Sequence, residues 1–435
     1  MPPAYAAYTA ISSGLFAILL PTVGAGLAAS SRYRKGFMQR LGFYPKPIAG
    51  TDNGTQRIWF HAASVGEIGV AVSIMKALKT AAPSCEPILS TTTVHGRTIG
   101  EKMAAGTAEC VYAPVDFIGS IRLALSMIRP DIMVWVETEL WPNWMVQAKR
   151  MGVKTAVVNG RISPRAQRRY GKVKRLFLEV LPSVDALSMI GKGDAERIAR
   201  MGALSDRITV NGNAKYDQLA EKTTARLRME TAAKFNIEGD RPVFVAGSIR
   251  AGEDRILLDA YGRLKRKFPE LLLVIAPRHI QKAAGVVRMA REKGYDGRLR
   301  SARTSGREMK EDVIVLDTYG ELFGIYSLAT LTFCGGSLVP KGGQNPMEAA
   351  AWGHPVLFGK SMEDFEDARN LLTAGGGGFT VTDGKDLARC AAELLASRQK
   401  RKDAGTSARR VVENLTGTAH KHAAVIGNLL RHPAV

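Results

Sequence analysis

The feature that most constrains the fold is a glycine-rich segment, residues 332–359, which reads TFCGGSLVPKGGQNPMEAAAWGHPVLFG. An apolar run typical of a buried strand, residues 331–334, leads into a turn with glycines at 335, 336, 342 and 343. A second apolar run, residues 356–358, predicts the next strand. The spacing of the glycines fits neither GxGxxG nor GxxxxGK[ST], which disfavours an ordinary dinucleotide fold and a P-loop.

A helix start follows the glycines. Asn345 is placed to cap a short helix over residues 347–352, and Pro346 would occupy its first position. Glu348 falls three residues after Asn345 and would close a capping box, and Gly353 is the expected left-handed end. Free backbone N–H groups and the helix dipole would favour a bound phosphate here. The alternative is that the glycines make only a tight crossover.

The rest of the chain repeats a strand–helix rhythm, which predicts an α/β protein built on parallel sheets. Predicted strands cover residues 58–60, 88–92, 110–113, 132–136, 155–158, 186–189, 208–210, 243–246, 271–276, 313–316, 331–334, 356–358 and 379–381. A chain of 435 residues favours two domains. We predict an N-terminal anchor (1–31), a Rossmann-like domain (32–217), a charged helical linker (218–240) and a second Rossmann-like domain (241–435).

The anchor is predicted from residues 4–31, which contain no charged side chain. This length can cross a hydrocarbon core, and the alternative is a helix that is buried or lies on a surface. Five basic residues precede the first acid, Asp52, and place the main body in the cytoplasm by the positive-inside rule. They are Arg32, Arg34, Lys35, Arg40 and Lys46.

The formal net charge of +21 implies an acidic partner, which charge alone cannot identify as nucleic acid, anionic lipid or a phosphorylated substrate. The densest basic run, residues 161–175, is expected to form either a solvated helix face or a surface for anionic headgroups. Four cysteines far apart in sequence suggest neither a zinc site nor a disulfide scaffold.

Polar side chains gather after the predicted strands, where sites form in α/β folds. Glu67 ends the motif HAASVGE and is either a helix-start charge or a general base. Glu137 and Glu139 open ETELWPN and would share one face if the strand continued that far. Lys215 in GNAKYD and Arg278 in PRH could each bind an anion, or be a surface lysine and a salt-bridge partner.

Seven motifs in order resemble the 3-deoxy-D-manno-octulosonic acid (Kdo) transferase family over nearly the whole chain. They are HAASVGE, ETELWPN, NGRIS, GNAKYD, PRH, DTYGEL and GGSLVPKGGQNPMEAAAWGHPVLFG. The resemblance implies a GT-B fold, with two Rossmann-like domains facing across a cleft. It also implies membrane-associated transfer of Kdo from CMP-Kdo to the 6'-hydroxyl of a lipid A precursor, with inversion and with neither a catalytic metal nor a cofactor.

The resemblance also implies residue roles. Glu67 would be the base, and Glu137 and Lys215 would stabilise the transition state. CMP would be held by Pro277, Arg278, Tyr319, Gly320, Glu321, Asn345, Pro346, Met347 and Glu348. The expected partners are CMP-Kdo, a lipid A precursor and an anionic membrane surface at the cytoplasmic face of the inner membrane, with no nucleic acid.

Two positions depart from the family pattern, namely Asp364, where an Asn is more usual, and Arg250, where His is expected. Other readings remain. The same fold could use a UDP-sugar donor, or the chain could be a basic membrane-surface or RNA-binding protein without catalysis.

Overall fold

A computed structural model describes residues 1–29, 36–44, 55–237, 241–302 and 310–431, and the side chains of all of these except 23–29. The chain divides into two compact units, which we call unit 1 (Met1–Gln218 and Gly417–Val435) and unit 2 (Leu219–Thr416). The sequence assigns all of 241–435 to the second domain, whereas the segment from Gly417 onward groups with unit 1.

Unit 1 contains a parallel seven-stranded sheet in the order β3-β2-β1-β4-β5-β6-β7. The strands are β1 Arg57–His61, β2 Glu86–Thr91, β3 Glu109–Tyr112, β4 Ile132–Val136, β5 Lys154–Gly160, β6 Ala186–Met189 and β7 Ile208–Val210. The helices are α1 Pro3–Ala29, α2 Phe37–Arg40, α3 Val65–Ala81, α4 Val94–Met103, α5 Ile118–Ile128, α6 Pro142–Arg150, α7 Pro164–Gly171, α8 Lys174–Val180 and α9 Lys192–Arg200, and the C-terminal helix Thr418–Arg431. Helix α10, Lys215–Lys222, begins in unit 1 and ends in unit 2. Short 3₁₀ turns occur at Leu181–Ser183 and Ser205–Arg207.

Unit 2 contains a second parallel sheet in the order β10-β11-β9-β8-β12-β13-β14. Its strands are β8 Val243–Ile249, β9 Leu272–Pro277, β10 Gly297–Leu299, β11 Val313–Val315, β12 Leu331–Cys334, β13 Val356–Phe358 and β14 Gly378–Thr380. Its helices are α11 Ala225–Phe235, α12 Glu253–Lys265, α13 Ala283–Glu292, α14 Leu322–Tyr326, α15 Met347–Ala350, α16 Glu366–Ala374, α17 Gly384–Ala396 and α18 Arg398–Glu413. The C-terminal helix of unit 1, Thr418–Arg431, follows these in the chain and is numbered α19. Its 3₁₀ turns are Ile280–Lys282 and Glu363–Phe365.

The sheets form because their strands are apolar on both faces. All five residues of β4 (IMVWV) are buried, as expected for a parallel strand covered by helices on both sides. Trp59, Trp135 and Trp144 pack in one helix–sheet layer of unit 1, and Ile58, Phe60 and Val134 pack in the opposite layer. In both sheets the strand order reverses beside the first strand, so the tips of β1 and β4, and those of β8 and β12, flank the switch points where such folds bind ligands.

The N-terminal helix α1 contains a stretch, Pro3–Thr22, that is long and apolar enough to cross a membrane by length and composition. Its first turns are docked on unit 1, however. The Glu179 carboxylate accepts the backbone N–H groups of Ala4 (3.1 Å) and Tyr5 (2.8 Å), and the Tyr8 hydroxyl donates to Asp116 at 2.5 Å. Beyond these turns Ile11, Leu15, Ile18, Leu19 and Leu20 are exposed.

Of the basic residues after the predicted anchor, Arg32, Arg34, Lys35 and Lys46 lie outside the described residues, as does Asp52. Most of the basic run 161–175 lies in α7 and α8. All of its charged side chains from Arg165 onward are exposed.

Candidate active site

Glu67 lies in the first turn of α3, where Ser64 caps the helix. The Glu67 carboxylate accepts N–H groups from Ala63 (2.7 Å) and Ser64 (3.2 Å), while the Ser64 hydroxyl accepts the Glu67 N–H (3.3 Å). Burial, and then the charge of Glu137, raise the pKa of Glu67, and these hydrogen bonds only partly offset the rise. Glu67 is therefore a helix-start carboxylate that binds a proton more readily than an exposed glutamate does.

Glu137 directly follows β4 and has a left-handed backbone conformation (φ 62°), which is unusual for a residue with a side chain. Its side chain is only about a tenth exposed, and its carboxylate lies 2.5 Å from the Lys215 Nζ. A Cβ atom added to Gly66 would lie 3.9 Å from the same Nζ. The structure thus brings together three elements predicted from the sequence: the loop before Glu67, Glu137 and Lys215. Strained conformations of this kind are common at functional sites.

Glu139 does not share the environment of Glu137, contrary to the conditional prediction. β4 ends at Val136, so the extended alternation on which the prediction depended does not reach these residues. Instead, Glu139 lies 3.5 Å from the buried His61 Nε2 and accepts the Trp141 Nε1–H at 2.8 Å. Burial alone would raise the pKa of Glu139, but His61 and Trp141 outweigh it and hold that pKa below its usual value.

Sequence reasoning missed a buried polar network that binds the backbone of the GNAKYD loop. His422 of α19 is bonded to the Ser188 hydroxyl through Nδ1 (2.6 Å) and to the Gly212 carbonyl through Nε2 (3.1 Å). Asn159, which has φ 52°, accepts the Ala214 N–H at 2.8 Å. His422 and Ser188 are 234 residues apart, so no local pattern links them. The network fixes the segment immediately before Lys215.

In unit 2 the expectation of free loop amides is wrong for most of the glycine-rich segment. The N–H groups of Gly336, Ser337 and Leu338 all donate to the buried Glu253 carboxylate. The remaining glycine amides are also occupied: that of Gly335 by the Gly247 carbonyl, that of Gly342 by the Ser361 hydroxyl, and that of Gly343 by the Gly336 carbonyl. Three glycines of this turn, Gly336, Gly342 and Gly343, have left-handed backbone conformations.

The predicted capping box at Asn345 does not form. The helix there is only Met347–Ala350, shorter than predicted, and it has no side-chain N-cap bond. The Asn345 Oδ1 accepts the Met347 N–H at 3.1 Å, and its amide lies 3.5 Å from the Glu348 carboxylate. Burial raises the pKa of Glu348, although Asn345, Lys222 and Arg278 oppose the rise. Pro346 and Met347 are buried, and Gly353 is left-handed as predicted.

The other predicted donor residues lie at strand ends of the same sheet. Pro277 ends β9, and the Arg278 N–H donates to the Ile249 carbonyl at 3.0 Å. Arg250, the departure from the family pattern, places Nη1 3.1 Å from the His279 Nε2. Asp364 donates its N–H to the Gly342 carbonyl.

Tyr319, Gly320 and Glu321 follow β11. Tyr319 is 77% exposed and Gly320 is left-handed (φ 83°). The Glu321 carboxylate is bound by Lys234 and Thr318, with Arg300 3.6 Å away. Burial would raise the pKa of Glu321, but these partners hold it below its usual value. Glu321 therefore remains charged and in a fixed position, while the Tyr319 side chain is open to solvent.

Within the part of the chain that the structure describes, no group of three or more His, Cys, Asp or Glu side chains could hold a metal ion. The expectation of metal-free chemistry stays a prediction.

Comparisons with known proteins identify the family. The profile of the family described as "3-Deoxy-D-manno-octulosonic-acid transferase (kdotransferase)" matches residues 35–218. The chain is 30% identical over 408 residues to a 3-deoxy-D-manno-octulosonic acid transferase of Haemophilus influenzae, covering 93% of each chain. It is also 30% identical over 373 residues to the enzyme of the same name from Bordetella pertussis, covering 84% of each.

Solved structures define the fold. A UDP-GlcNAc 2-epimerase from Neisseria meningitidis matches with a TM-score of 0.60 at 14% identity, covering 86% of this chain and 100% of that one. A glycosyltransferase from Rickettsia africae matches with a TM-score of 0.60 at 13% identity, covering 87% and 100%. These likenesses establish the GT-B fold, and the two Kdo transferases at 30% identity establish the family. This chain therefore belongs to the 3-deoxy-D-manno-octulosonic acid transferases, and it is a glycosyltransferase of the GT-B fold.

Proposed function

We propose that this chain transfers Kdo from CMP-Kdo to the 6'-hydroxyl of a lipid A precursor, with inversion and without a catalytic metal, as a lipid IVA Kdo transferase. The observation that carries the proposal is the position of Glu67 beside the Glu137–Lys215 pair, in a chain of the Kdo transferase family. An inverting transfer needs one base to activate the acceptor and positive charge to stabilise the leaving group.

Glu67 is the proposed base. Its carboxylate is oriented by the Ala63 and Ser64 amides through one oxygen, Oε2, so the other oxygen can accept the proton of the acceptor hydroxyl. Because burial and the Glu137 charge raise its pKa, Glu67 is a stronger base than an exposed glutamate. A positioned general base contributes about 10²- to 10⁴-fold to rate.

Lys215 supplies the positive charge in unit 1. The Glu137 carboxylate holds the ammonium group at 2.5 Å, and the His422 network fixes the loop that precedes it. In this role Lys215 and Glu137 act together, with the ammonium group stabilising negative charge that develops as CMP departs.

CMP is proposed to bind to unit 2, at residues 277–278, 319–321 and 345–348. Arg278 offers the cation that a phosphate requires, and Tyr319 offers an exposed aromatic side chain. Glu348 fits beside an anion because burial makes its neutral, proton-donating form more accessible. Glu321 is held by its own protein partners, which supports a contribution from the backbone of this turn rather than from that carboxylate.

The membrane assignment rests on α1 and on charge. The exposed apolar side chains of α1 beyond Thr9 suit contact with lipid, and the basic helices α7 and α8 suit anionic headgroups, at about 1 kcal/mol per basic residue near a charged membrane. We therefore propose a location at the cytoplasmic face of the inner membrane, where a lipid A precursor with two phosphates would be available.

A donor-exchange assay tests the proposal. Purified protein would be given a lipid A precursor with either CMP-Kdo or UDP-sugars, and products would be weighed by mass spectrometry. We expect added Kdo only with CMP-Kdo, and the product mass would also count the Kdo units. Transfer from a UDP-sugar would refute the donor assignment. Tighter binding to RNA than to the lipid at physiological salt would favour a non-catalytic role.

A further inference from the structure

A buried carboxylate beside the glycine-rich loop belongs to Glu253, the first residue of α12. Its side chain has no exposed surface. One carboxylate oxygen accepts the N–H groups of Arg250 (2.8 Å) and Gly336 (2.6 Å), and the other accepts those of Ser337 and Leu338, both at 2.9 Å. Four backbone donors therefore surround one carboxylate.

Three of these donors are consecutive amides of the glycine-rich loop. Converging N–H groups of successive residues form a concave site suited to an anion, as in phosphate-binding loops. Here a side chain of the same unit fills that site. The arrangement is stable because a buried carboxylate requires several hydrogen-bond donors, and the loop amides require acceptors.

The loop is also joined to the neighbouring strand tips. A Cβ atom on Gly335 would lie 2.5 Å from the Ile249 Cα, so the tips of β12 and β8 are in direct backbone contact. The Arg278 N–H donates to the carbonyl of the same Ile249 at 3.0 Å. Glu253 therefore lies where the glycine-rich segment and the PRH motif meet the end of β8, at the β8–β12 switch point of the sheet.

We propose that Glu253 is a positioning residue for the sugar-nucleotide donor. Its carboxylate takes the place of an anion among the amides of residues 336–338, which fixes the loop that leads to Asn345 and keeps those amides from binding the donor phosphate. The phosphate is then bound by side chains such as Arg278. The inference rests on the proposed placement of CMP in unit 2.

The test uses the full-length protein with Glu253→Gln. Glutamine keeps the shape, but its NH₂ group faces backbone N–H donors, so at least one loop amide loses its acceptor. We expect the CMP Kd and the KM for CMP-Kdo to rise about tenfold or more, and the KM for the lipid acceptor to stay unchanged. Without ligand, hydrogen–deuterium exchange of residues 334–345 should be faster in Glu253→Gln than in the wild-type protein. In the wild-type protein, CMP should add little protection at residues 336–338.

Asp312→Asn is the matched control. Asp312 also accepts a backbone N–H, that of Asp296 (3.0 Å), and pairs with Lys265 (2.7 Å), but it precedes β11 at the opposite edge of the sheet. The Asp312→Asn variant should be less stable than the wild-type protein, with unchanged CMP affinity. If Glu253→Gln does not fold, Glu253→Asp keeps the charge on a shorter side chain and should give a smaller rise in Kd.

Several results would overturn the inference: equal CMP affinity in wild type and Glu253→Gln, an equal loss in Asp312→Asn, or strong CMP protection of amides 336–338. If wild-type protein does not bind CMP, the proposed donor is wrong. The ligand-free exchange comparison then still decides whether Glu253 holds the loop, and unchanged exchange in Glu253→Gln refutes that.

Discussion

His422 should make unit 1 sensitive to acid, and the size of the effect follows from its contacts. The imidazole is fully buried, its Nε2–H donates to the Gly212 carbonyl, and its Nδ1 accepts from Ser188, which assigns the neutral tautomer. Burial lowers the pKa of His422 from 6.5 to about 4, with Lys421 adding to the effect and the Gly212 hydrogen bond opposing it.

The sign follows from linkage. Since the folded pKa lies below the unfolded one, the unfolded chain takes up a proton first as the pH falls. The stability that His422 contributes is therefore present above pH 6.5 and is lost as the pH falls through about 4. At about 1.4 kcal/mol per pH unit, the free energy of unfolding should fall by about 2 kcal/mol between pH 7 and pH 5 from this group alone.

The assay compares urea unfolding of wild-type protein and His422→Gln at several pH values. Glutamine can still donate to Gly212 and accept from Ser188 but does not titrate. Four of the five tryptophans, Trp59, Trp135, Trp141 and Trp144, lie in unit 1, so fluorescence reports on that unit. His420→Gln, an exposed neighbour on α19, is the control and should keep the wild-type pH dependence. An identical pH dependence in wild type and His422→Gln would refute the reasoning.

Two further predictions concern the proposed base and the N-terminal helix. Glu137→Gln removes a charge that raises the pKa of Glu67, so the acid limb of the pH profile of kcat/KM should move to lower pH while activity falls. If the acid limb does not move, it does not report the titration of Glu67. Tyr8→Phe removes a hydrogen bond to the partly buried Asp116, whose pKa burial raises to about 6. The change should weaken the docking of α1 by about 1.5–3 kcal/mol, seen as faster proteolysis within residues 3–22. Thr22→Ala, which alters an exposed hydroxyl of the same helix, should have no such effect.

Much of the fold could be predicted from sequence because parallel strands are short apolar runs between turn signals. The bounds of β4, β6, β7, β12 and β13 were predicted to the residue. β10 was missed because its three residues, GRL, include a charged side chain and lack an apolar pattern. The return of α19 to unit 1 could not be predicted either, since periodicity shows that a helix is amphipathic but not which sheet it covers.

The proximity of the candidate site residues in unit 1 could be predicted from local spacing. Glu67, Glu137 and Lys215 stand after strands, and parallel strands bring their carboxyl ends to one edge of the sheet. What the sequence did not predict is which distant groups these side chains and amides are bonded to. No local pattern shows that Glu253 occupies the glycine-loop amides 83 to 85 residues away, or that Glu139 pairs with His61 rather than sharing a face with Glu137.

The central claim is that Glu67 removes the proton from the acceptor. The most direct measurement is single-turnover transfer from CMP-Kdo to a lipid A precursor by Glu67→Gln, with CMP affinity measured on the same sample. Glu101→Gln, an exposed helix glutamate of unit 1, is the control. We predict a fall in rate of about 10²- to 10⁴-fold with unchanged CMP affinity. A Glu67→Gln rate within a few-fold of wild type, at full CMP affinity, would contradict the account.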